Sequence, residues 1–354
     1  MAGYFHFHPV GQGLFYTGMI RRGNESFVFV YDCGGSGKDL VGSIVERFID
    51  SLRGKEIDLL VLSHLHEDHI NGIESILKEL KPGGNIVMPY VDRHLQLLYQ
   101  YHYRRQHPNP GDRDQFIVDF YDDPVGKNSD MTDSRVSINM VSSFPLDDDF
   151  DSDPYSLDRD QKEVESKKTI SLHKKGGKGS QCTIHLSSGY EQILQDFDWQ
   201  LRITQPFFDS ETYKNYRGYL GGNRSLADLL MDSDARSHLK QLNNAQNKSC
   251  LLLEHWFQSS KTASRSVLTG DLPETKGRMI RDMLSSQGRN HVYLIPHHGA
   301  KSANPSVTDS ETSVVSYGTD NDYKHPNEAT LDIYRKNSTV IKVNENSKGY
   351  GYIV

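Results

Sequence analysis

Six residues, "HLHEDH", place His64, His66, Asp68 and His69 together. They follow the apolar run "DLLVL" and precede Ile70, Ile73, Ile76, Leu77 and Leu80. The run reads as a buried strand. The spacing after it reads as an amphipathic helix that ends at "KPGG". Residues two apart in extended backbone face the same way, so His64 and His66 point to one place. Asp68 and His69 fall at the turn where the helix begins. One short loop therefore offers ligands to two adjacent metal ions. Imidazole with carboxylate suits zinc, manganese or iron. Such ions acidify a bound water and neutralise charge on the group it attacks, which is the chemistry of hydrolysis.

These residues need rigid elements to aim them. "GYFHFHPV", "LFYTGMI" and "SFVFVYDC" are strand candidates rich in aromatic and β-branched residues, with "RRGNES" as a hairpin turn. "NIVMPY" follows the helix as the next strand. Strand signals resume with "TISLHK", "CTIHLS" and "WQLRITQPF". After a helix-like stretch from about 223 to 243 they continue with "SCLLLEHWF", "SVLTGD", "HVYLIPHHG", "TSVVSYG", "STVIKVN" and "GYGYIV". Each half runs from a meander into alternating strands and helices. This predicts an α/β protein of two sheets packed face to face with helices outside. The expected sandwich is one domain over 1–354, formed by residues 1–90 and 170–354.

Residues 92–168 differ in character and read as an insertion near the cleft. "RHLQLLYQYHYRRQHPNPGD" is basic and tyrosine-rich, helical until its prolines. "PLDDDFDSDPYSLDRDQKEVE" is acidic and almost free of aliphatic residues, the composition of a solvated loop. The insertion is a candidate surface for a protein partner.

The chain has 354 residues and a net charge of -7, which argues against a general coat for nucleic acid but leaves room for a local basic groove. Cys33, Cys182 and Cys250 are too few and too scattered for a disulfide framework. The opening "MAGYFHFHPVGQG" lacks the basic region and apolar run of a secretory leader, and no segment approaches the roughly 20 apolar residues of a membrane span. The composition reads as cytoplasmic.

"HLHEDHINGI" resembles the HxHxDH motif of the metallo-β-lactamase superfamily. "YDCGG" resembles that family's early Asp-x-Gly element, "VLTGD" its strand-end aspartate, and "LIPHHGAKS" its late histidine motif. The finer resemblance is to the soluble hydrolase domain of ComEC-type DNA-uptake proteins. It rests on "VGQG" at 10 to 13, "NKSCLLL" at 247 to 253, "HHGA" at 297 to 300 and "KHP" at 324 to 326. The resemblance implies a four-layer αββα sandwich and a centre for one or two divalent ions, zinc above all, with manganese as the alternative. One ion would take His64, His66 and Asp271. The other would take Asp68, His69, Asp271 and either His297 or His298. Asp32 and Asn247 would stand behind these ligands. The superfamily's further histidine before the strand of "VLTGD" is missing here; "QLNNAQNKS" stands in its place, with His173 or His185 as strand histidines. His6 and His8 share one strand face and read as structural. His325 resembles a substrate-contacting turn, while Asn327 reads as a helix cap. Asp68 and His325 are the candidate catalytic residues.

The resemblance implies hydrolysis by a metal-bound hydroxide without selecting the bond. Three features favour a phosphodiesterase or nuclease: the ComEC-like order of motifs, the bridging carboxylate, and local positive charge. That charge lies in "YHYRRQH" with Arg104 and Arg105, in "ESKKTISLHKKGGKG" with Lys174 and Lys175, and at Lys301. The alternative keeps the metals and makes the protein a hydrolase of a peptide or a small ester or amide, with the insertion as a lid.

Overall fold

The computed structural model describes residues 1–91, 93–111, 114–124, 136–141, 170–175, 181–187, 189–205, 219, 225–235, 247, 250–273, 280–286, 288–301 and 309–354. The first half runs β1 (Ala2–Phe7), β2 (Phe15–Arg22), β3 (Glu25–Cys33), α1 (Lys38–Leu52), β4 (Ile57–Val61), α2 (Glu67–Ile70), α3 (Ile73–Lys78) and β5 (Leu80–Pro89). It continues with α4 (Arg93–Gln106), α5 (Gln115–Asp122), β6 (Val136–Val141), β7 (Ile170–Lys175) and β8 (Gln181–Ser187). The second half runs β9 (Gly189–Leu194), β10 (Trp199–Thr204), α6 (Leu226–Met231), β11 (Leu252–Phe257), α7 (Lys261–Ser264), β12 (Ser266–Leu268), β13 (Asn290–Leu294), β14 (Ser310–Ser316), α8 (Glu328–Arg335), β15 (Thr339–Val343) and β16 (Tyr350–Ile353).

Among the described residues, nine strands form one sheet in the order β16-β1-β2-β3-β4-β5-β6-β8-β7, and seven form the other in the order β15-β14-β13-β12-β11-β10-β9. In each, antiparallel pairing gives way to parallel pairing: at β3–β4 in the first sheet and at β12–β13 in the second. Side chains alternate along a strand, and the sequence uses both faces. In β3, Phe27, Phe29 and Tyr31 enter the core between the sheets, where they join Phe5, Trp199, Leu253 and Val314. Val28 and Val30 face the other way, onto a helix layer with Val41, Ile44 and Ile76. On the far side Leu252, Val267, Tyr293 and Val315 pack under Leu331 and Tyr334 of α8. Helix α1 buries Val41, Ile44, Val45, Phe48 and Leu52, a stripe at helical spacing. The result is the expected sandwich of helices, two sheets and helices.

Three features differ from the sequence reading. The helix after the histidines is broken into α2 and α3 at Asn71 and Gly72, and Gly72 packs so closely that a Cβ there would lie 2.5 Å from Val41 and 2.8 Å from the Cys33 sulfur. "KPGG" lies inside β5 and not in a loop. The segment 92–168 also contains β6, an inner strand hydrogen-bonded to β5 and β8 and buried at every position but one. Strand pairing is non-local: β7 and β8 join the first sheet, and the last strand, β16, returns to pair with β1. The acidic run at 145–165 lies outside the described residues. Of the expected helix at 223–243, α6 is described and residues 236–243 are not.

Candidate metal centre

The parallel strands deliver their polar residues at their carboxyl ends, on one rim of the sandwich. Asp32 closes β3, Ser63 and His64 follow β4, Asp271 follows β12, and His297 and His298 follow β13. This is where open parallel sheets place ligands, since loops from neighbouring strands converge there. His66 caps α2, and Asp68 and His69 lie in its single turn.

Asp271 stands at the centre. Its Oδ1 lies 3.3 Å from His69 Nε2 and 3.4 Å from His298 Nε2, while its Oδ2 lies 3.8 Å from His64 Nε2 and 3.7 Å from His297 Nε2. His298 Nε2 is also 3.4 Å from Asp68 Oδ2, and His64 Nε2 is 2.9 Å from His66 Nδ1. Two groups of possible ligands result. In His64, His66 and Asp271, and again in Asp68, His69 and His298, the donor atoms all lie within 4.8 Å of one another.

Supporting hydrogen bonds fix the lone pairs. His69 Nδ1 bonds to Asp32 Oδ2 at 2.8 Å, and His298 Nδ1 bonds to the Ser316 carbonyl at 2.9 Å. Each Nδ1 is then the donor, and each Nε2 lone pair faces Asp271. The Ser63 amide and hydroxyl both donate to Asp32, at 2.6 Å each, and His64 Nδ1 is 3.0 Å from the same hydroxyl. Among the described residues, His69 Nε2, His298 Nε2 and Asp271 Oδ1 are buried with no hydrogen-bond partner. Buried polar atoms are costly to leave unmatched, and a divalent cation among these three matches them all. The residues fit such an ion.

The electrostatics agree. Burial pulls His69 down, but Asp271, Asp68 and Asp32 outweigh it and hold its pKa well above the usual imidazole value. His298 is raised in the same way, Asp271 and Asp68 outweighing burial. Asp271 is held well below the carboxylate range: burial pushes it up, and His298, His297 and His69 prevail. His64 is lowered, by burial and then by His69 and His66. The centre attracts positive charge.

Of the adjacent histidines, His298 approaches Asp68 and Asp271 Oδ1, while His297 lies on the side of Asp271 that faces His64. Asn247 Nδ2 is 3.4 Å from His297 Nε2. Both histidines have positive φ, 48° and 54°, a left-handed conformation that glycine takes without strain.

A cavity of about 350 Å³ opens onto the centre. Its wall includes Tyr99, Tyr103 and Tyr121 from α4 and α5, and its rim includes Tyr323 and His325. Tyr121 donates to the Leu65 carbonyl at 2.9 Å and His107 Nε2 bonds to Glu67 at 2.8 Å, so both helices are tied to the histidine loop. Asn321 clamps the backbone of His325, accepting from its N–H at 2.9 Å and donating to its carbonyl at 2.8 Å. Burial, with His297 and His298 close by, lowers His325 to about 4. Asn327 does cap α8, accepting from the Thr330 amide at 3.2 Å.

The basic residues are dispersed. Arg104 and Arg105 lie near the end of α4 and Lys301 just past the HHG turn; Arg105 and Lys301 are exposed, and none of the three lines the cavity. Lys174 and Lys175 belong to β7, the last strand of its sheet, and their side chains lie outside the described residues, as do those of His173 and His185. His6 lies on β1 and His8 just past its end, their rings 4.5 Å apart, and His8 bonds to Thr17.

Two glycines have roles that the histidine pattern gives no sign of. A Cβ on Gly13 would lie 2.1 Å from the Asp68 carbonyl oxygen, and one on Gly34 would lie 2.6 Å from it. The "VGQG" and "YDCGG" segments press against the ligand loop from both sides, so their glycines were the available signal.

A family model described as the metallo-beta-lactamase superfamily matches residues 16–136, from β2 to the first residue of β6, and so takes in Asp32 and the HxHxDH segment. That stretch therefore matches a metallo-β-lactamase superfamily domain, and the two facing sheets with helices outside are consistent with that superfamily's sandwich. Among solved structures, a long form RNase Z from yeast is similar at 10% identity and a TM-score of 0.35. That match covers 99% of this chain and 41% of the yeast chain, so this protein spans less than half of that protein's length. No curated protein matches the chain. Among the described residues no helix is long and apolar enough to cross a membrane.

Proposed function

We propose that the protein is a nuclease or related phosphodiesterase that works with one or two divalent ions, zinc first and manganese second. The observation that carries this reading is the division of Asp271: one oxygen faces His69 and His298, the other His64 and His297. A carboxylate shared between two ligand groups suits a pair of cations that clamps the attacking and leaving oxygens of an in-line displacement. Ions held by these residues would acidify water and neutralise charge on phosphorus. The ComEC-like order of "VGQG", "TGD", "HHGA" and "KHP" supports the same substrate class.

In this reading Asp68 ligates an ion beside His69 and His298. Asp32 and the Ser316 carbonyl hold the two imidazoles in their donor-behind, lone-pair-forward tautomer. Asn247 steadies His297. His325, neutral near pH 7, offers a ring N–H to the leaving oxygen. Arg104, Arg105 and Lys301 engage flanking phosphates outside the cavity. The chain acts as one domain, with the helices of 92–168 beside the cavity and as a surface for a protein partner.

The test compares wild type with Asp68→Ala, both loaded with zinc or manganese. The substrates are bis-p-nitrophenyl phosphate, single- and double-stranded DNA, RNA, a peptide and a carboxylic ester. Metal-dependent cleavage of a phosphodiester by wild type alone is expected. Activity on nucleic acid should also fall steeply with salt, and Arg104→Ala should flatten that dependence by about one phosphate contact. Metal-dependent cleavage of the peptide or ester alone would instead establish the lidded alternative.

A further inference from the structure

Tyr323 is a large aromatic residue left 67% exposed, and it stands on the rim of the cavity that holds Asp68, Asp271 and His298. Its ring lies nearly parallel to that of His325, with centroids 5.8 Å apart and planes inclined by 11°. The turn that carries both is braced. Asn321 bonds to the backbone of His325 on both sides and donates to the Gly318 carbonyl, and the Lys324 amide returns to the Asn321 carbonyl at 3.3 Å. The aromatic pair is therefore a fixed surface, one ring supported from behind and open in front. The same cavity is lined by Tyr99 and Tyr121, which stack at 5.5 Å with planes 3° apart.

A flat, exposed aromatic face beside a phosphodiester-cleaving centre matches one substrate part, the face of a nucleobase. Base-on-aromatic stacking is the usual way that proteins hold unpaired nucleotides, and it tolerates any base because every base has such a face. The cavity volume of about 350 Å³ is near the lower end of ligand pockets, roughly 300 Å³ upward. That is room for one nucleotide. Inside a duplex both faces of a base are covered by its neighbours, so the base must leave the stack before it can meet Tyr323.

Resting on the phosphodiesterase reading above, we propose that Tyr323 is a stacking platform for an unpaired base next to the scissile phosphate, which makes the enzyme selective for single strands. The ring binds the substrate directly.

The test uses the metal-loaded full chain as wild type, Tyr323→Phe and Tyr323→Ala, each checked for unchanged metal content and melting temperature. The substrates are a single-stranded oligonucleotide, the same strand annealed to its complement, and single strands with one abasic position placed on either side of the cut. The single strand should be cleaved faster than the duplex. Tyr323→Ala should lower kcat/KM on the intact strand by about 5- to 100-fold, chiefly through KM, and Tyr323→Phe should retain it. The abasic strand should lose a similar factor with wild type and lose little more with Tyr323→Ala, since the partner ring is already missing. Equal rates on single strand and duplex would overturn the proposal. So would a loss in Tyr323→Ala that is the same on intact and abasic strands, or wild-type cleavage of bis-p-nitrophenyl phosphate with none of any single strand. If wild type cleaves no phosphodiester at all, the underlying reading fails and this one with it.

Discussion

Asp32 touches no solvent and no cavity wall, yet the orientation of His69 depends on it. Its Oδ2 receives the His69 Nδ1 proton at 2.8 Å and the Ser63 hydroxyl at 2.6 Å. Burial raises its pKa, and His69 and Ser63 hold that rise in check. Replacing it by alanine leaves His69 Nδ1 without its acceptor and frees the ring to turn. Asp32→Ala is therefore expected to lower metal affinity by about 10- to 100-fold, read by competition against a chromogenic chelator. An unchanged affinity would mean that His69 is not a ligand. His297 lies on the His64 side of Asp271, where the resemblance called for a histidine that this chain lacks. His297→Ala should thus reduce the metal bound per chain while leaving the ion held by Asp68, His69 and His298. Metal analysis showing full content would remove His297 from the centre.

At the scale of elements, the ligand loop is gripped by backbone. Gly13 has φ 132°, and its missing Cβ is what lets the "VGQG" segment reach the Asp68 carbonyl; the Leu14 amide then donates to that carbonyl at 3.3 Å. Gly13→Ala introduces a backbone clash that no side-chain rotation relieves, and it displaces α2 with Asp68 and His69. The expected outcome is a loss of ion affinity and turnover larger than the loss of global stability. Metal titration and thermal melting on the same samples check this; a loss confined to melting would make the contact purely structural. The tie from α5 is milder. Tyr121→Phe removes the bond to the Leu65 carbonyl and should cost about 1 kcal/mol, read as a lower denaturant midpoint.

Across the whole molecule, one buried histidine registers pH. His255 lies between the sheets, with its Nε2 2.8 Å from the Tyr16 hydroxyl; Tyr16 continues to Tyr352 at 2.7 Å, and Tyr352 to Ser266 at 2.7 Å. Burial, with a smaller contribution from His291, lowers it from 6.5 to about 3. The depressed pKa means that the unfolded chain binds a proton the folded one refuses. Its contribution to stability is complete above pH 6.5 and fades as pH falls toward 3, by about 2 kcal/mol at pH 5. His255→Gln should flatten this acid limb; denaturant midpoints at pH 7 and pH 5 that fall as far in the variant as in wild type would exclude it. The candidate metal-binding residues come from strand ends of both sheets, Asp32 and His64 from one and Asp271 and His298 from the other. Chelation should therefore lower the melting temperature of the entire fold. Restoring zinc to a hundredfold excess over Kd should return ~2.7 kcal/mol.

The local features were legible in the sequence because they depend on neighbours in the chain. Alternation in "SFVFVYDC" divides Phe29 from Val30 between two cores, and "LLVLSHLHEDH" sets a buried strand before the histidine loop. The helix at 93–106 ends before its prolines, as its residues imply. What depends on distant partners was not legible. Which face of Asp271 meets His297 and which meets His298 is fixed by the turn after β13, where both residues take left-handed backbone. The placement of β6 inside a segment set apart by composition, and of β16 beside β1, follows from hydrogen bonds between residues far apart in sequence. The glycines of "VGQG" gained a reason only when the chain folded Gly13 onto Asp68. Periodicity and spacing report what a residue meets within a few positions; pairing, tautomer and close backbone approach are decided by contacts that exist only once both sheets have closed.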